Sequence, residues 1–199
     1  DKLGPFLKLV CDLTGQDAAL PMNTGAEAVE TAVKAARRWG YESKGIPADQ
    51  AEIIVCTGNF HGRTTTIISF SDEKEYPKNF GPLTPGFKVV HYGDADALEA
   101  MITPNTAAFL VEPIQGEGGI VIPPEGYLKR CQEICRENNV LLIADEIQTG
   151  LGRTGRLLAS DHEGLTPDGL IPGKALGGGR RPVSMIRLAR EVVHILVPG

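Results

Sequence analysis

Two ionisable residues in the second half of the chain stand where chemistry is possible. Asp145 directly follows the apolar run of residues 140–144, and Lys174 is flanked by Gly173 and Ala175. A carboxylate at the end of such a run is costly to bury unpaired and needs a cationic partner, for which a protonated ring nitrogen is one candidate. A lysine among small residues can approach a bound molecule, lose hydration and form a Schiff base, although a lone lysine is normally a surface charge.

Three other segments that follow apolar runs contain groups that bind small molecules. Residues 23–27 form a glycine turn at the start of a helical pattern, where free backbone N–H groups either bind a phosphate or are simply capped by Thr24. Farther along, Phe60 offers either a ring-stacking face or a core side chain, and Arg63 offers an anchor for a carboxylate. Residues 112–119 are glycine-rich and include two acids, which indicates a binding loop or a solvated turn.

These features are individually weak, but together they match the requirements of one cofactor. Pyridoxal 5'-phosphate (PLP) needs a phosphate cradle, a face against its ring, an acid for its ring nitrogen and an amine for its aldehyde. The sequence therefore predicts a PLP site assembled from these separate segments.

A second pattern points to a different cofactor and is the disfavoured alternative. Residues 150–155 fit the G-x-G-x-x-G pattern of dinucleotide-binding loops, and Asp168 lies at a suitable distance beyond them. A nicotinamide-dependent oxidoreductase would require a long helix directly after Gly155, but Gly164 and Pro167 leave room only for a short one.

The elements that must position these groups alternate between short apolar segments and helical patterns. Strands that are apolar throughout are buried on both faces, so we predict an α/β fold with a mostly parallel seven-stranded sheet and helices on both faces. Functional groups are expected just past the carboxyl ends of the strands. The predicted strands are residues 18–22, 52–56, 87–92, 107–112, 140–144, 169–171 and 183–188, and the predicted helices are residues 25–41, 61–70, 94–102 and 125–138.

The composition is that of an ordinary globular protein, with 42% hydrophobic and 23% charged residues among 199. The formal net charge of −5 gives no electrostatic reason to expect nucleic acid or an anionic membrane as a partner. The longest apolar runs are too short to span a bilayer. We expect the four cysteines to be buried, reduced thiols of an intracellular protein, with too few further ligands for a metal site; they are Cys11, Cys56, Cys131 and Cys135.

Four motifs together resemble those of the class-III aminotransferases, which are PLP-dependent enzymes of fold type I. Their order and spacing agree with the family from the start of the chain to about residue 179. The motifs are NTGAEA at residues 23–28, VEPIQGE at 111–117, ADEIQTG at 144–150 and GKALGGG at 173–179. Within the class, three more segments look most like ornithine aminotransferases, with acetylornithine aminotransferases close behind. They are residues 37–41, 58–64 and 80–87.

The resemblance implies roles toward the cofactor. Lys174 would hold PLP covalently and then shuttle a proton, and Asp145 would pair with the ring nitrogen and keep it protonated. Gln148 would contact the phenolic oxygen of the ring. Gly25 and Ala26 would bind the phosphate through their backbone N–H groups.

Other matching residues would flank the ring or bind substrate. By the same resemblance, Phe60 would stack on one face of the ring and Ile147 would pack on the other. Arg63 would bind the α-carboxylate of the substrate. Glu117 would gate a second, C-terminal arginine that binds the dicarboxylate co-substrate.

The implied reaction transfers the δ-amino group of ornithine to 2-oxoglutarate and yields glutamate semialdehyde and glutamate. The implied protein is a homodimer or a higher homo-oligomer in the cytoplasm, or alternatively in the mitochondrial matrix. Acetylornithine or another ω-amino acid is the alternative amino donor. A non-catalytic fragment that does not hold PLP is the alternative of another class.

The resemblance also implies that residues 1–199 are a PLP-binding large domain truncated at both ends, without the N-terminal segment and the small C-terminal domain of complete members. Five residues near the end depart from the family pattern: two weaken a predicted strand, and three place positive charge at positions that are apolar in the family. Three explanations are open, namely real divergence, an error in this stretch of sequence, or a surface that faces a partner. The residues are Gly169, Pro172, Arg180, Arg181 and Arg187.

Overall fold

The computed structural model describes residues 2–15, 17–178, 180 and 183–188, and these residues are organised around one seven-stranded sheet. The spatial order is β1-β7-β6-β5-β4-β2-β3, in which β7 pairs antiparallel with β1 and β6 and the other neighbours pair in parallel. The predicted mostly parallel seven-stranded sheet is therefore confirmed. The strands are β1 (Ala18–Met22), β2 (Glu52–Cys56), β3 (Phe87–Val90), β4 (Thr106–Val111), β5 (Leu141–Glu146), β6 (Gly169–Pro172) and β7 (Ser184–Leu188).

The helices are short, and those after α1 connect successive strands. Among the described residues, no helix combines the length and the apolar character needed to cross a membrane. The α-helices are α1 (Leu3–Thr14), α2 (Gly25–Trp39), α3 (Thr65–Ile68), α4 (Ala95–Met101) and α5 (Tyr127–Glu137); a π-helical turn (Gly40–Lys44) extends α2, and two 3-10 helices follow β5 and β6 (Ala159–His162 and Lys174–Gly177).

The core has two layers because successive side chains of a strand point to opposite faces of the sheet. In β4, Ala108 and Leu110 pack in the cluster that includes α2, whereas Phe109 and Val111 pack in the cluster that includes α4 and α5. Phe109 is fully buried, and burying a side chain of this kind contributes roughly 1.5–3 kcal/mol to stability. Helices therefore cover both faces, as the uninterrupted apolar strands predict.

The predicted helix over residues 61–70 is wrong for most of its length. Only Thr65–Ile68 is helical, and it begins there because the Thr64 hydroxyl accepts a hydrogen bond from the Ile67 N–H. Gly62, with φ of 126°, lies outside the helical region. Tertiary contacts of the preceding residues, described below, override the local helical pattern.

β5 extends two residues beyond the predicted end at residue 144. Asp145 pairs with Ile171 of β6, and Glu146 pairs with Pro172. The strand therefore carries two acids into the buried sheet, which is possible because protein donors satisfy both carboxylates, as described below. Periodicity alone could not show this, since charged residues normally end a buried strand.

The departures near the end of the chain do not prevent the sheet from forming there. Gly169 and Pro172 are buried as the first and last residues of β6, so the missing N–H of the proline falls at the strand end. Arg180 is exposed, and Arg181 lies outside the described residues. Arg187 pairs through its backbone with Ala19, but its side chain is not among those described.

The glycine pattern at residues 150–155 does not open a long helix. Turns and bends occupy residues 151–158, and the next helix is the four-residue Ala159–His162. The structural context of a dinucleotide-binding loop is therefore absent from this stretch, which excludes the oxidoreductase alternative based on it.

Three of the four thiols are predicted to be chemically inert in the native chain. Cys56, Cys131 and Cys135 are free and buried, and burial raises the pKa of Cys56 and Cys131 to about 12. Because the thiolate is the reactive form, we expect a disulfide reagent to label only partly exposed Cys11 rapidly and all four thiols after unfolding. Cys11→Ser should abolish the rapid phase, and two or more rapidly labelled thiols would contradict this packing.

Candidate functional site

A cavity of about 280 Å³ lies where β5, β6 and α2 meet, beyond the carboxyl ends of the parallel strands. This is the edge at which open α/β sheets bind ligands. The cavity brings together seven of the nine residues predicted for the site. They are Gly25, Ala26, Phe60, Asp145, Ile147, Gln148 and Lys174.

The two residues predicted to bind substrate line neighbouring cavities. Arg63 lines a cavity of about 450 Å³, and Glu117 lines one of about 190 Å³. Tyr76 borders both of these cavities, and Phe60 borders both the Glu117 cavity and the first cavity. The rings of Phe60 and Tyr76 meet edge to face, with centroids 6.3 Å apart. The contacting rings of Phe60 and Tyr76 thus belong to the shared linings of the three cavities.

The start of α2 is both a capped helix end and a potential anion site. Thr24 caps it, because its hydroxyl accepts from the Glu27 N–H while the Glu27 carboxylate accepts from the Thr24 N–H. The cap does not use the N–H groups of Gly25 and Ala26, which have no acceptor within the helix and line the cavity. The two alternatives considered for this segment are therefore compatible.

Gly25 lies close to the side chain of Ile147, which would have to shift to admit a Cβ at this position. A Cβ there would lie 2.9 Å from Cδ1 of Ile147, which is too close for a real contact. Gly173 meets the opposite side of the same side chain, since a Cβ there would lie 3.2 Å from Cγ1 and Cγ2 of Ile147. Ile147 is thus packed between the start of α2 and the residue before Lys174.

Asp145 is buried, and both of its carboxylate oxygens accept hydrogen bonds. Oδ2 lies 2.7 Å from Nδ1 of His61, and Oδ1 accepts from the Ile147 N–H at 3.0 Å. Burial alone would lower the pKa of His61, but its hydrogen bond to Asp145 and the charges of Asp145 and Glu112 outweigh burial and raise it. His61 was not predicted as a site residue, although a buried acid requires a donor and His61 follows a neighbouring strand.

Glu112 is a second buried acid on the cavity wall that the sequence analysis did not assign. Its carboxylate accepts from the Phe60 N–H at 3.0 Å. Burial is the main reason that the pKa of Glu112 is raised to about 7, and the charge of Asp145 adds to this effect. His61 and the N–H groups of Phe60 and Gly116 act in the opposite direction.

Glu146 fixes the segment that carries Gln148. Its carboxylate is fully buried and accepts from the Thr149 hydroxyl at 2.6 Å, the Ala159 N–H at 2.9 Å, and the Ser160 N–H and hydroxyl at 2.8 and 2.7 Å. Charge-assisted hydrogen bonds of this number compensate for burying the charge. The chain after β5 is therefore folded back and held against the strand.

The loop of residues 112–119 is partly buried and partly solvated. Gln115 is buried, and its amide donates to the Thr57 carbonyl at 2.7 Å. Gly116 packs against the side chain of Gln148, where a Cβ would lie 2.9 Å from Cδ. Residues 117–119 are exposed. The first half of the loop is thus part of the cavity's surroundings, and the second half is a solvated turn.

Lys174 is exposed and has an uncommon backbone conformation. It lines the cavity with φ of 40°, in the left-handed region, where a non-glycine residue costs about 1–2 kcal/mol. Such outliers persist only where the surrounding structure imposes them, and they concentrate at functional sites. The conformation directs the chain from β6 into the 3-10 helix Lys174–Gly177.

Comparison with protein families assigns the chain independently of the site geometry. A family model described as aminotransferase class-III matches residues 1–199. The chain belongs to the class-III aminotransferase family. The resemblance inferred from the four motifs is thereby confirmed, and class-III aminotransferases are PLP-dependent.

Several individual class-III aminotransferases are closely similar to this chain. The ornithine aminotransferase of Bacillus subtilis is 62% identical over all of this chain and 50% of its own length. An ornithine aminotransferase structure from Toxoplasma gondii, described as having partial occupancy of PLP at the active site, has a TM-score of 0.97 and 53% identity, covering 98% of this chain and 47% of that one. The acetylornithine aminotransferase of Elizabethkingia anophelis has a TM-score of 0.85 and 46% identity, covering 100% of this chain and 46% of that one. The chain thus spans about half the length of the curated relatives that it matches.

The raised pKa of Glu112 generates a prediction about stability. Because its folded-state pKa of about 7 lies above the ordinary 4.5, folding takes up a proton between these values, and stability falls as the pH rises through this window. Glu112→Gln has no such titrating group and should not lose this stability. The free energy of unfolding of the variant minus that of the parent chain should therefore rise by on the order of 1 kcal/mol from pH 6 to pH 8.

Urea unfolding of the chain without added PLP measures the effect. Glu117→Gln is the matched control, because Glu117 is an exposed acid on the same loop and should leave the pH dependence unchanged. Equal pH dependence of the free energy of unfolding in both variants would contradict the burial of a titrating Glu112.

Proposed function

We propose that this chain is the PLP-binding large domain of an ornithine aminotransferase. The observation that carries the proposal is the convergence of the seven predicted cofactor residues, which are distant in sequence, on one cavity. The proposed enzyme transfers the δ-amino group of ornithine to 2-oxoglutarate, with glutamate semialdehyde and glutamate as products. High identity to ornithine aminotransferases over the whole chain supports this choice of substrates.

The residues that line the cavity fit PLP chemically. The N–H groups of Gly25 and Ala26 would bind the phosphate at the positive end of α2. Asp145 would accept a hydrogen bond from the protonated ring nitrogen, and the amide of Gln148 would contact the phenolic oxygen. Lys174 would supply the amine that binds the aldehyde.

The walls of the cavity would enclose a flat ring. Phe60 would stack on one face and Ile147 would pack on the other, and both line the cavity. The tight packing of Ile147 against the positions of Gly25 and Gly173 holds its side chain in place. An apolar wall on each face also excludes water, which strengthens the electrostatic interactions of Asp145.

When bound, PLP supplies an electron-withdrawing ring that stabilises negative charge on the substrate carbon next to the reacting amine. The protein must then hold and move protons. Nζ of Lys174 would accept a proton from the substrate and return it, since this side chain is exposed to the cavity. The two donors on Asp145 fix its carboxylate in the orientation from which it would hold the ring nitrogen's proton.

Substrate binding is assigned to the neighbouring cavities. Arg63 would bind the α-carboxylate of ornithine, so that the δ-amino group extends toward Lys174. Glu117 would gate the arginine that binds 2-oxoglutarate. Acetylornithine is the alternative donor, because an acetylornithine aminotransferase is 46% identical to this chain.

The whole protein would be longer than this chain and would form an oligomer. Residues 1–199 would form the cofactor-binding large domain of a longer enzyme that is a homodimer or a higher homo-oligomer. We propose a cytoplasmic location, which is consistent with the bacterial origin of its curated relatives.

The cofactor assignment is tested by adding PLP to the purified chain and recording its visible spectrum. We expect a new absorption band that Lys174→Ala abolishes, because the covalent bond requires the Nζ amine. Borohydride reduction followed by peptide mass spectrometry should place the label on Lys174. Lys129→Ala, on the exposed side of α5, is the control that should retain the band. A label on another lysine would refute the site, and a folded chain without a band would favour the non-catalytic alternative.

The substrate assignment is tested by adding ornithine or N-acetylornithine to the PLP-loaded chain. Ornithine should change the spectrum faster, and the order should reverse if the alternative donor is correct. Arg63→Ala should lower kcat/KM for ornithine by roughly tenfold or more, because it removes a charge-assisted hydrogen bond to the carboxylate. An unchanged kcat/KM in Arg63→Ala would remove Arg63 from the substrate site.

A further inference from the structure

A histidine that no motif assigns lies behind the cavity in contact with Asp145. The side chains of His61 and Asp145 are 1% and 4% exposed, and Nδ1 of His61 lies 2.7 Å from Oδ2 of Asp145. The two residues are 84 positions apart in the sequence. Two ionisable groups can be buried together when each forms a hydrogen bond that offsets the other's loss of hydration.

The two ring nitrogens of His61 differ in their hydrogen bonding. Nε2 is buried and has no hydrogen-bond partner among the described residues, whereas Nδ1 is paired. The ring centroids of Phe70 and His61 are 5.9 Å apart, and the Phe70 side chain has no hydrogen-bond acceptor group. A histidine that served only to fill the core would be replaceable by an apolar side chain without this unsatisfied nitrogen. The useful atom is therefore Nδ1, which must donate because Asp145 accepts.

The contact completes the fixation of the Asp145 carboxylate. The Ile147 N–H holds Oδ1, but it belongs to the same chain segment and can move with it. His61 holds Oδ2 from the segment after β2, so the carboxylate is tied to two separate parts of the fold. Glu112, from the segment after β4, also acts on His61 through its charge. A carboxylate held at both oxygens is oriented before any ligand arrives, which reduces the cost of binding.

We propose that His61 is a positioning residue for the cofactor site, whose Nδ1–H orients the Asp145 carboxylate toward the ring nitrogen of PLP. This inference rests on the proposed function, because it concerns how Asp145 meets that ring. His61 acts through Asp145, and its Nδ1 makes no direct contribution to the transfer of the amino group.

The test compares two substitutions that differ at the Nδ1 position. His61→Asn places an amide N–H close to the position of Nδ1, whereas His61→Phe keeps a ring of similar size and has no donor. His91→Asn is the matched control, because His91 is exposed and lies outside the first cavity. Thermal unfolding of each variant without PLP shows whether the chain is folded.

The affinity for PLP, titrated by visible absorption, is the first measurement. We expect His61→Phe to weaken binding by about tenfold and His61→Asn to retain it within about threefold, as the loss of one charge-assisted hydrogen bond predicts. Equal affinity in all variants would overturn the proposal. Equal weakening in His61→Phe and His61→Asn would also overturn it, because the effect would then come from packing.

The second measurement does not require the cofactor. The Nδ1 proton of His61 should give a downfield imidazole NMR signal in the chain without PLP, and Asp145→Asn should shift or abolish it. If the parent chain fails to bind PLP but shows this signal, the proposed function fails for this chain while the buried pair stands. If the signal is absent or is unchanged in Asp145→Asn, the pair is refuted whatever the outcome of the PLP titration.

Discussion

The burial of two consecutive acids at the end of β5 is the constraint on which the site depends. Asp145 and Glu146 point to different surroundings because neighbouring residues in a strand face opposite sides. Each carboxylate would be costly to bury without donors, so the chain around it must bring N–H and O–H groups to it. The segments that supply these donors are those that form the cavity wall and the loop after the strand. The same hydrogen bonds therefore stabilise the buried carboxylates and hold the segments of the site in place.

The two carboxylates at the end of β5 accept hydrogen bonds from different sets of donors. Glu146 accepts hydrogen bonds from Thr149, Ala159 and Ser160 and so holds both ends of the segment between them. Asp145 is held by His61 and by the Ile147 N–H, so that it stays at the cavity. The residues between these anchors, including Gln148, have little freedom, and a site that is ordered before binding loses less entropy when a ligand arrives.

Close approach of backbone segments completes the cavity. Gly25, Gly116 and Gly173 each lie so close to a neighbouring side chain that a Cβ would require that side chain to shift. The neighbour is Ile147 for Gly25 and Gly173, and Gln148 for Gly116. The three glycines thus let the backbone approach two side chains that line the cavity.

The sequence by itself determined the layers of the fold, and it predicted seven of the residues that line the first cavity. Uninterrupted apolar strands require burial on both faces, and the motifs at strand ends pointed to residues such as Lys174 by type and local spacing. Only the tertiary structure decided that His61 meets Asp145, that Glu112 is buried beside them, and that Arg63 lies in a separate cavity. The physical reason is that periodicity and turn chemistry act over a few residues. Burial, pairing and the direction of the pKa shifts depend instead on segments far apart in the chain that the sheet brings to one edge.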